Sequence, residues 1–173
     1  MGLFGPPNVA KLDALGRIDG LVRAAKYKRD PAVRAAAREA LTGYLDQIID
    51  RLQTKNLVQL NTSREALCLI GEPARDRLIH IVREGHVHRR EDAAFVLGMM
   101  GDPEAIPALR LCMHNQDPLL RLLCLQAMVK IGGDPRVRET LLQALNDPEP
   151  KIADEARKSL AALNGQAGRA QGS

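Results

Sequence analysis

Aromatic side chains are nearly missing from this chain. It has no tryptophan, and its aromatic residues are Phe4, Tyr27, Tyr44 and Phe95 alone. A pocket for a flat cofactor, or a platform on which bases stack, normally draws on more aromatic faces than these. Cysteine is also scarce: Cys68, Cys112 and Cys124 make an odd count with no CxxC spacing. With no signal-peptide pattern, that favours reduced thiols and a cytoplasmic location over a disulfide framework. No apolar run approaches the ~18 residues that a membrane-spanning helix needs, so no membrane partner is expected. Met1-Gly2 is not followed by the Ser or Thr that N-myristoylation wants at position six, where Pro6 stands. Net charge is only +4, from 25 basic and 21 acidic residues, which does not by itself imply a nucleic-acid partner. A phosphate-cradling glycine loop, GxSxG and HExxH are all absent. The acidic residues are spread over helix surfaces and caps, without an acid–base pair in a concave site.

What the chain does have is repetition. Leu41, Leu67, Leu97, Met128 and Leu160 each follow a small or short residue: Ala40, Ala66, Val96, Ala127 and Ser159. Three residues after each anchor stands Tyr44, Ile70, Met100, Ile131 or Leu163. The anchors are 26, 30, 31 and 32 residues apart. Turns of the form Gly-acidic-Pro or Gly-Asp-Pro follow at Gly71, Gly101 and Gly133. A period of this size means stacked helical repeats, none of which can bury its apolar face alone. With few aromatics, Leu, Ala, Ile and Val must fill the core, which suits closely packed helices.

Each repeat reads as helix A, a short turn and helix B. Asp caps the free N–H groups of a first turn, and Pro fits there because it has no N–H to leave unpaired. Asp102-Pro103 and Asp134-Pro135 therefore start A helices, while Asp30-Pro31 and Asp117-Pro118 start B helices. The predicted pairs are 17–27 with 31–44, 45–53 with 57–70, 73–84 with 88–100, 103–114 with 118–131, and 135–145 with 150–163. A short helix at about 9–15 caps the N-terminal end. Apolar or small residues on the B helices recur at three- and four-residue spacing, as at Leu120, Leu123, Cys124, Ala127, Met128 and Ile131. The expected fold class is all-α, an α-solenoid of about five helix pairs. The expected domain spans 1–164, with a small, polar, disordered tail at 165–173.

Two segments carry a family resemblance. The run from Asp30 to Leu41, of the form DPxVRxxAxxAL, resembles HEAT-like repeats of the phycobilisome-lyase type, and so does GDPEAIPAL from Gly101 to Leu109. The opening, through Gly16-Arg17-Ile18-Asp19-Gly20-Leu21, is similar to the start of prokaryotic HEAT-repeat proteins of that type. The resemblance covers roughly residues 8–163. It implies an α-solenoid, usually a scaffold or binding module, of which a few members attach bilin chromophores to phycobiliproteins.

Arginines are the first candidate site. Arg34, Arg90 and Arg121 take equivalent places on B helices, Arg38 and Arg157 lie one turn further on, and Arg64 falls near the same row. On stacked helices they would form a ladder able to grip carboxylates or phosphates. Alternatively, Arg34 and Arg121 bridge to Asp30 and Asp117, four residues before each, within their own turns; the resemblance favours this. That leaves Arg38, Arg64, Arg90 and Arg157 as the better binding candidates. On the fourth B helix, Leu119, Leu122 and Leu125 are left over by the core stripe and lie near Phe95. They are read either as an interaction patch or as residues buried against helix A or a curved neighbour. Arg64 and Arg90 are expected to face solvent beside Phe95, Leu122 and Leu125.

His86 and His88, in one A–B turn, and His114, in the next, could converge on an edge, with Asp92 or Asp117 adding a carboxylate. HxH alone is common in polar turns, so no metal or cofactor is assigned. HEAT-like deoxyhypusine hydroxylases carry repeated His-Glu dyads for iron, and no His-Glu pair occurs in this chain. His80, flanked by Leu78, Ile79, Ile81 and Val82, is read as a partly buried, hydrogen-bonded helix residue. The three cysteines are read as inert packing.

Three functions remain. The first expectation is a non-catalytic module, not an enzyme, that holds a protein partner on its B-helix face through Arg38, Arg64, Arg90, Phe95, Leu122, Leu125 and Arg157, with possible self-association. The second is a bilin lyase or chromophore chaperone, with Asp46 or Asp50 as the acidic group near the pyrrole nitrogens. The third, nucleic-acid binding by an arginine face as in HEAT-like DNA glycosylases, is weakened by the absence of tryptophan.

Overall fold

The computed structural model describes residues 5–170. Among them are eleven α-helices and two 3-10 turns, and no strand. In order they are α1 (Val9–Ala14), α2 (Ile18–Ala25), α3 (Pro31–Thr42), α4 (Leu45–Asp50), α5 (Leu57–Ile70), α6 (Glu72–Glu84), α7 (Val87–Met100), α8 (Ile106–Cys112), α9 (Pro118–Ile131), α10 (Pro135–Ala144) and α11 (Pro150–Ala170). The 3-10 turns, Arg51–Gln53 and Pro103–Ala105, follow α4 and precede α8. This is an α-solenoid arrangement of helix pairs behind a short opening helix. The last helix runs on to Ala170, past the 163 expected from the repeat. The final residues of the expected tail, 171–173, lie outside the described residues.

The helix starts follow from local chemistry. Asp30 accepts from the Ala32 and Val33 amides, Asp117 from Leu119, and Asp134 from Arg136, each with proline in the first turn. Asn56 does the same for α5, accepting from Val58 and Gln59, which sets the boundary of the second, least regular repeat. Gly101 ends α7 in the left-handed region at φ +69, where a side chain would be strained.

The chain divides into two compact units, 1–76 and 77–173, with the boundary inside α6. In the first, α2 packs on α3, and both touch α5. Its core holds Ile18, Leu21, Val22, Leu41, Ile48 and Leu67. In the second, α9 is the hub: it touches α7, α8, α10 and α11. Leu97, Leu109, Leu120, Leu125, Met128 and Leu141 are fully buried there.

The α7–α9 contact is close because Gly98 has no side chain. A Cβ at Gly98 would stand 2.8 Å from the Ala127 Cα and 3.0 Å from its Cβ. A Gly98→Val variant should therefore lose about 1–3 kcal/mol through overpacking. The gain in helix propensity offsets only a few tenths of ~1 kcal/mol. Urea denaturation measures this; an unchanged midpoint would show that the two helices separate at no cost.

Candidate functional site

The equivalent arginines of the B helices turn inward rather than forming an external ladder. On α3, Arg34 donates to the Tyr27 and Lys28 carbonyls at 3.1 and 3.3 Å. On α7, Arg90 Nε donates to the Val82 carbonyl at 2.7 Å, while its terminal nitrogen lies 3.8 Å from Cys112 Sγ. On α9, Arg121 donates to the Asn115 and Gln116 carbonyls at 2.9 and 3.2 Å. All three satisfy carbonyls at the end of the preceding A helix or in the turn after it, groups that a helix terminus leaves without partners. Arg121 also grips Asp147 with both forks, at 2.9 and 2.7 Å. Its ion pair therefore reaches into the following A–B turn rather than to Asp117. Asp30 and Asp117 are occupied as helix caps instead.

The other members of the proposed partner surface are scattered in their roles. Arg38 is exposed on α3 and Arg64 is half-buried on α5. Arg157 is exposed and pairs with Asp154 on its own helix. Phe95 is 39% exposed, and the Lys130 ammonium sits 5.9 Å from its ring centre. A shallow hollow beside Phe95 is lined by Leu123, Gln126 and Lys130 rather than by Leu122 and Leu125. Leu122 is half-buried and Leu125 wholly buried, because α9 meets helices on several sides. Arg90, expected to face solvent beside them, is drawn in by the Val82 carbonyl.

Two placements were not legible in the residue pattern. The first is an open groove of about 1290 Å³ in the N-terminal unit, formed where α1 folds back on α2 and the 3-10 turn after α4. Its walls are Leu12, Leu15, Ile18 and Ala24. Lys11, Arg17, Arg23 and Arg51 line it with four cationic side chains, against the single carboxylate of Asp19. The reversal depends on Gly16, at φ +61, and on Gly20, whose missing Cβ leaves room for Leu12. The run from Gly16 to Gly20, flanked by Lys11 and Arg23, was the available signal.

The second is a thiol pair. Cys112, the last residue of α8, is 3% exposed, and Cys124, on α9, is fully buried. Cys112 Sγ lies 3.7 Å from the Val82 carbonyl, which ties it to the Arg90 cluster. A hydrogen bond from Cys124, then the Arg90 guanidinium and the charge of Arg83, bring the Cys112 thiol down to about 6 against the opposing effect of burial. Its hydrogen bond with Cys112, together with burial, pushes the Cys124 thiol up.

The histidines do not assemble. His86, His88 and His114 are all exposed, and His88 faces Glu91 at 3.8 Å. Among the described residues no group of three or more His, Cys, Asp or Glu side chains is placed to hold a metal ion. His80 is exposed, on the outer side of α6, rather than partly buried. Among the described residues no helix is long and apolar enough to cross a membrane.

Comparison with known proteins supports the repeat reading and corrects the functional one. Residues 76–161 match the HEAT repeats family. Deoxyhypusine hydroxylase from Aspergillus niger is 34% identical over 67 residues, which are 38% of this chain and 20% of that protein. The enzyme of the same name from Coccidioides immitis is 31% identical over 84 residues, or 47% of this chain and 25% of that one. The chain thus spans only about a fifth to a quarter of these curated relatives. Among solved structures, human deoxyhypusine hydroxylase superposes with a TM-score of 0.53 at 18% identity, covering 88% of this chain and 75% of the other. The complex of CpcE and CpcF of phycocyanin lyase from Nostoc sp. PCC7120 gives 0.53 at 18% identity, covering 84% and 99%. Both structural likenesses speak to the fold. The curated relatives are fungal, so a prokaryotic kinship is not supported. They are also named as enzymes, which overturns the expectation of a non-catalytic scaffold.

Proposed function

For a HEAT-like repeat protein whose named relatives are enzymes, we propose an enzymatic role of the lyase-like kind. In this reading the chain, or a larger enzyme of which it is a part, holds a largely apolar, carboxylate-bearing molecule such as a bilin and presents it to a protein acceptor. The observation that carries the reading is the groove of the N-terminal unit. It combines an apolar wall with four cationic side chains and one carboxylate. An apolar body with two acidic arms complements that pattern, since Arg pairs with carboxylates through two parallel hydrogen bonds. Asp19 supplies an acceptor for pyrrole N–H groups, a role earlier sought at Asp46 or Asp50. The groove lacks the aromatic walls that would grip a flat chromophore most tightly, so binding rests on charge and aliphatic contact.

The relatives' names suggest a second chemistry, hydroxylation of a protein side chain. The donors described above do not suit it, whereas the groove suits the first reading.

Titration with biliverdin tests the proposal. An absorbance shift and induced circular dichroism are expected at tens of micromolar or below. An Arg17→Glu/Arg23→Glu variant should bind at least tenfold more weakly, a loss of about 1.4 kcal/mol or more. Biliverdin dimethyl ester, which lacks the acidic arms, should also bind poorly. No spectral shift with the unaltered protein at tens of micromolar would overturn the reading. So would equal binding of the ester.

A further inference from the structure

We propose that Tyr44, which does not line the N-terminal groove, is a positioning residue for it: its hydroxyl fastens α1 in the reversed position that makes this helix a detachable wall. The inference rests on the groove as the binding site proposed above. Asn8, Lys11, Leu12 and Leu15 bring α1 and its caps into the groove, so a loosened α1 takes with it one of the four cationic side chains and part of the apolar wall.

The wall is weakly built. α1 is six residues long, and none of them is buried. A helix that short does not persist alone in water, so its survival depends on its seat against α2 and α3. Its direction depends on the turn that follows. Gly16 stands at φ +61, and the Gly16 and Arg17 amides donate back to the Asp13 and Leu12 carbonyls at 2.8 and 2.9 Å. These are the two bonds of a glycine-ended helix terminus. Tyr44, in the bend between α3 and α4, reaches this same turn from 31 positions further along the chain. Its hydroxyl donates to the Asp13 carbonyl at 2.7 Å and lies 2.9 Å from the Asp13 carboxylate. The Asp13 carbonyl thus takes one hydrogen from Gly16 and one from Tyr44, which uses both of its lone pairs. Without the hydroxyl, the turn keeps its own bonds but loses its tie to the end of α3. A segment with so little buried surface opens locally, at a free energy below that of the core around it.

Hydrogen exchange of the whole chain, without ligand, tests the clasp. Tyr44→Phe keeps the ring and removes only the hydroxyl. The amides of Leu12, Leu15 and Gly16, each bonded within α1 or its turn, should exchange about fivefold faster, as loss of one hydrogen bond of ordinary strength predicts. The amides of Leu41 and Leu67, in the core of the same unit, should keep their rates. Unchanged exchange in α1 would overturn the proposal. So would equal acceleration at Leu41 and Leu67, which would make Tyr44 a general packing residue. A second arm tests the wall itself. In the unaltered protein, biliverdin at roughly ten times its Kd should slow exchange in α1 by about tenfold, because it binds only the assembled groove. Binding that leaves α1 exchange unchanged would overturn the proposal while the groove reading stands. If biliverdin gives no spectral shift, the groove reading falls, and the free-chain rates still decide whether Tyr44 holds α1.

Discussion

An Asp147→Ala variant is expected to lose about 3–5 kcal/mol of folding stability, the usual result of removing one partner of a buried ion pair. The two side chains are only 10% and 8% exposed, and both forks of Arg121 are used. Without Asp147, the guanidinium keeps its bonds to the Asn115 and Gln116 carbonyls but loses its hydrogen-bonded counter-charge, leaving only the unbonded carboxylates of Asp117 and Glu149, in a site from which water is largely excluded. Changing Arg121 to Met as well should restore part of the loss, because an apolar side chain of similar length tolerates the site better than an unpaired charge. The pH dependence has a definite sign. The hydrogen-bonded Arg121 guanidinium holds the Asp147 carboxyl below the usual carboxylate range. The folded state therefore binds that proton less readily than the unfolded state. The stabilisation is complete above the unfolded value of about 3.9 and is lost as pH falls through the lower folded value. Urea denaturation of the two proteins at neutral pH and near pH 3 measures both effects. A variant within 1 kcal/mol of the parent at neutral pH would show that the pair is a passive neighbour rather than a clasp between repeats.

Leu125→Glu should be more damaging still. Leu125 is fully buried on the helix that touches four others. The substitution removes an apolar side chain, worth about 2–5 kcal/mol when truncated in a core. It also places a carboxylate where no partner awaits it. Together these approach the whole stability of a domain this size, roughly 5–15 kcal/mol. Far-UV circular dichroism should show loss of helix in the C-terminal unit. Leu119→Glu, six residues earlier and 49% exposed, should leave the spectrum and the melt nearly unchanged. Equal tolerance of the two substitutions would mean that α9 presents Leu125 outward, as a partner-binding patch requires.

The repeat was legible because its causes are local. Asp caps, proline in the first turn and glycine after the last turn act within a few residues, so Pro31, Pro118, Pro135 and Pro150 marked helix starts that the structure places at those same residues. Three- and four-residue spacing likewise identified Leu41, Leu67, Leu97 and Met128 as core. The all-α solenoid class follows from these signals together with the period, since the anchor spacing runs through every repeat even where the Asp-Pro start is missing.

Side-chain destinations were decided by neighbours on other helices. Arg34, Arg90 and Arg121 share a sequence position, yet whether that position faced solvent depended on carbonyls left open at the end of a different helix. Leu125 lies outside the stripe of its own helix and is buried only because α9 has partners on several sides. The groove exists because α1 reverses at Gly16, bringing Lys11, Arg17, Arg23 and Arg51 around one hollow. Cys112 and Cys124 are twelve residues apart, on α8 and α9, which pack against each other. Helix periodicity governs which residues share a face of one helix. Which faces meet, and which charges they enclose, is a property of the packed assembly, and it is there that the chemistry of this protein resides.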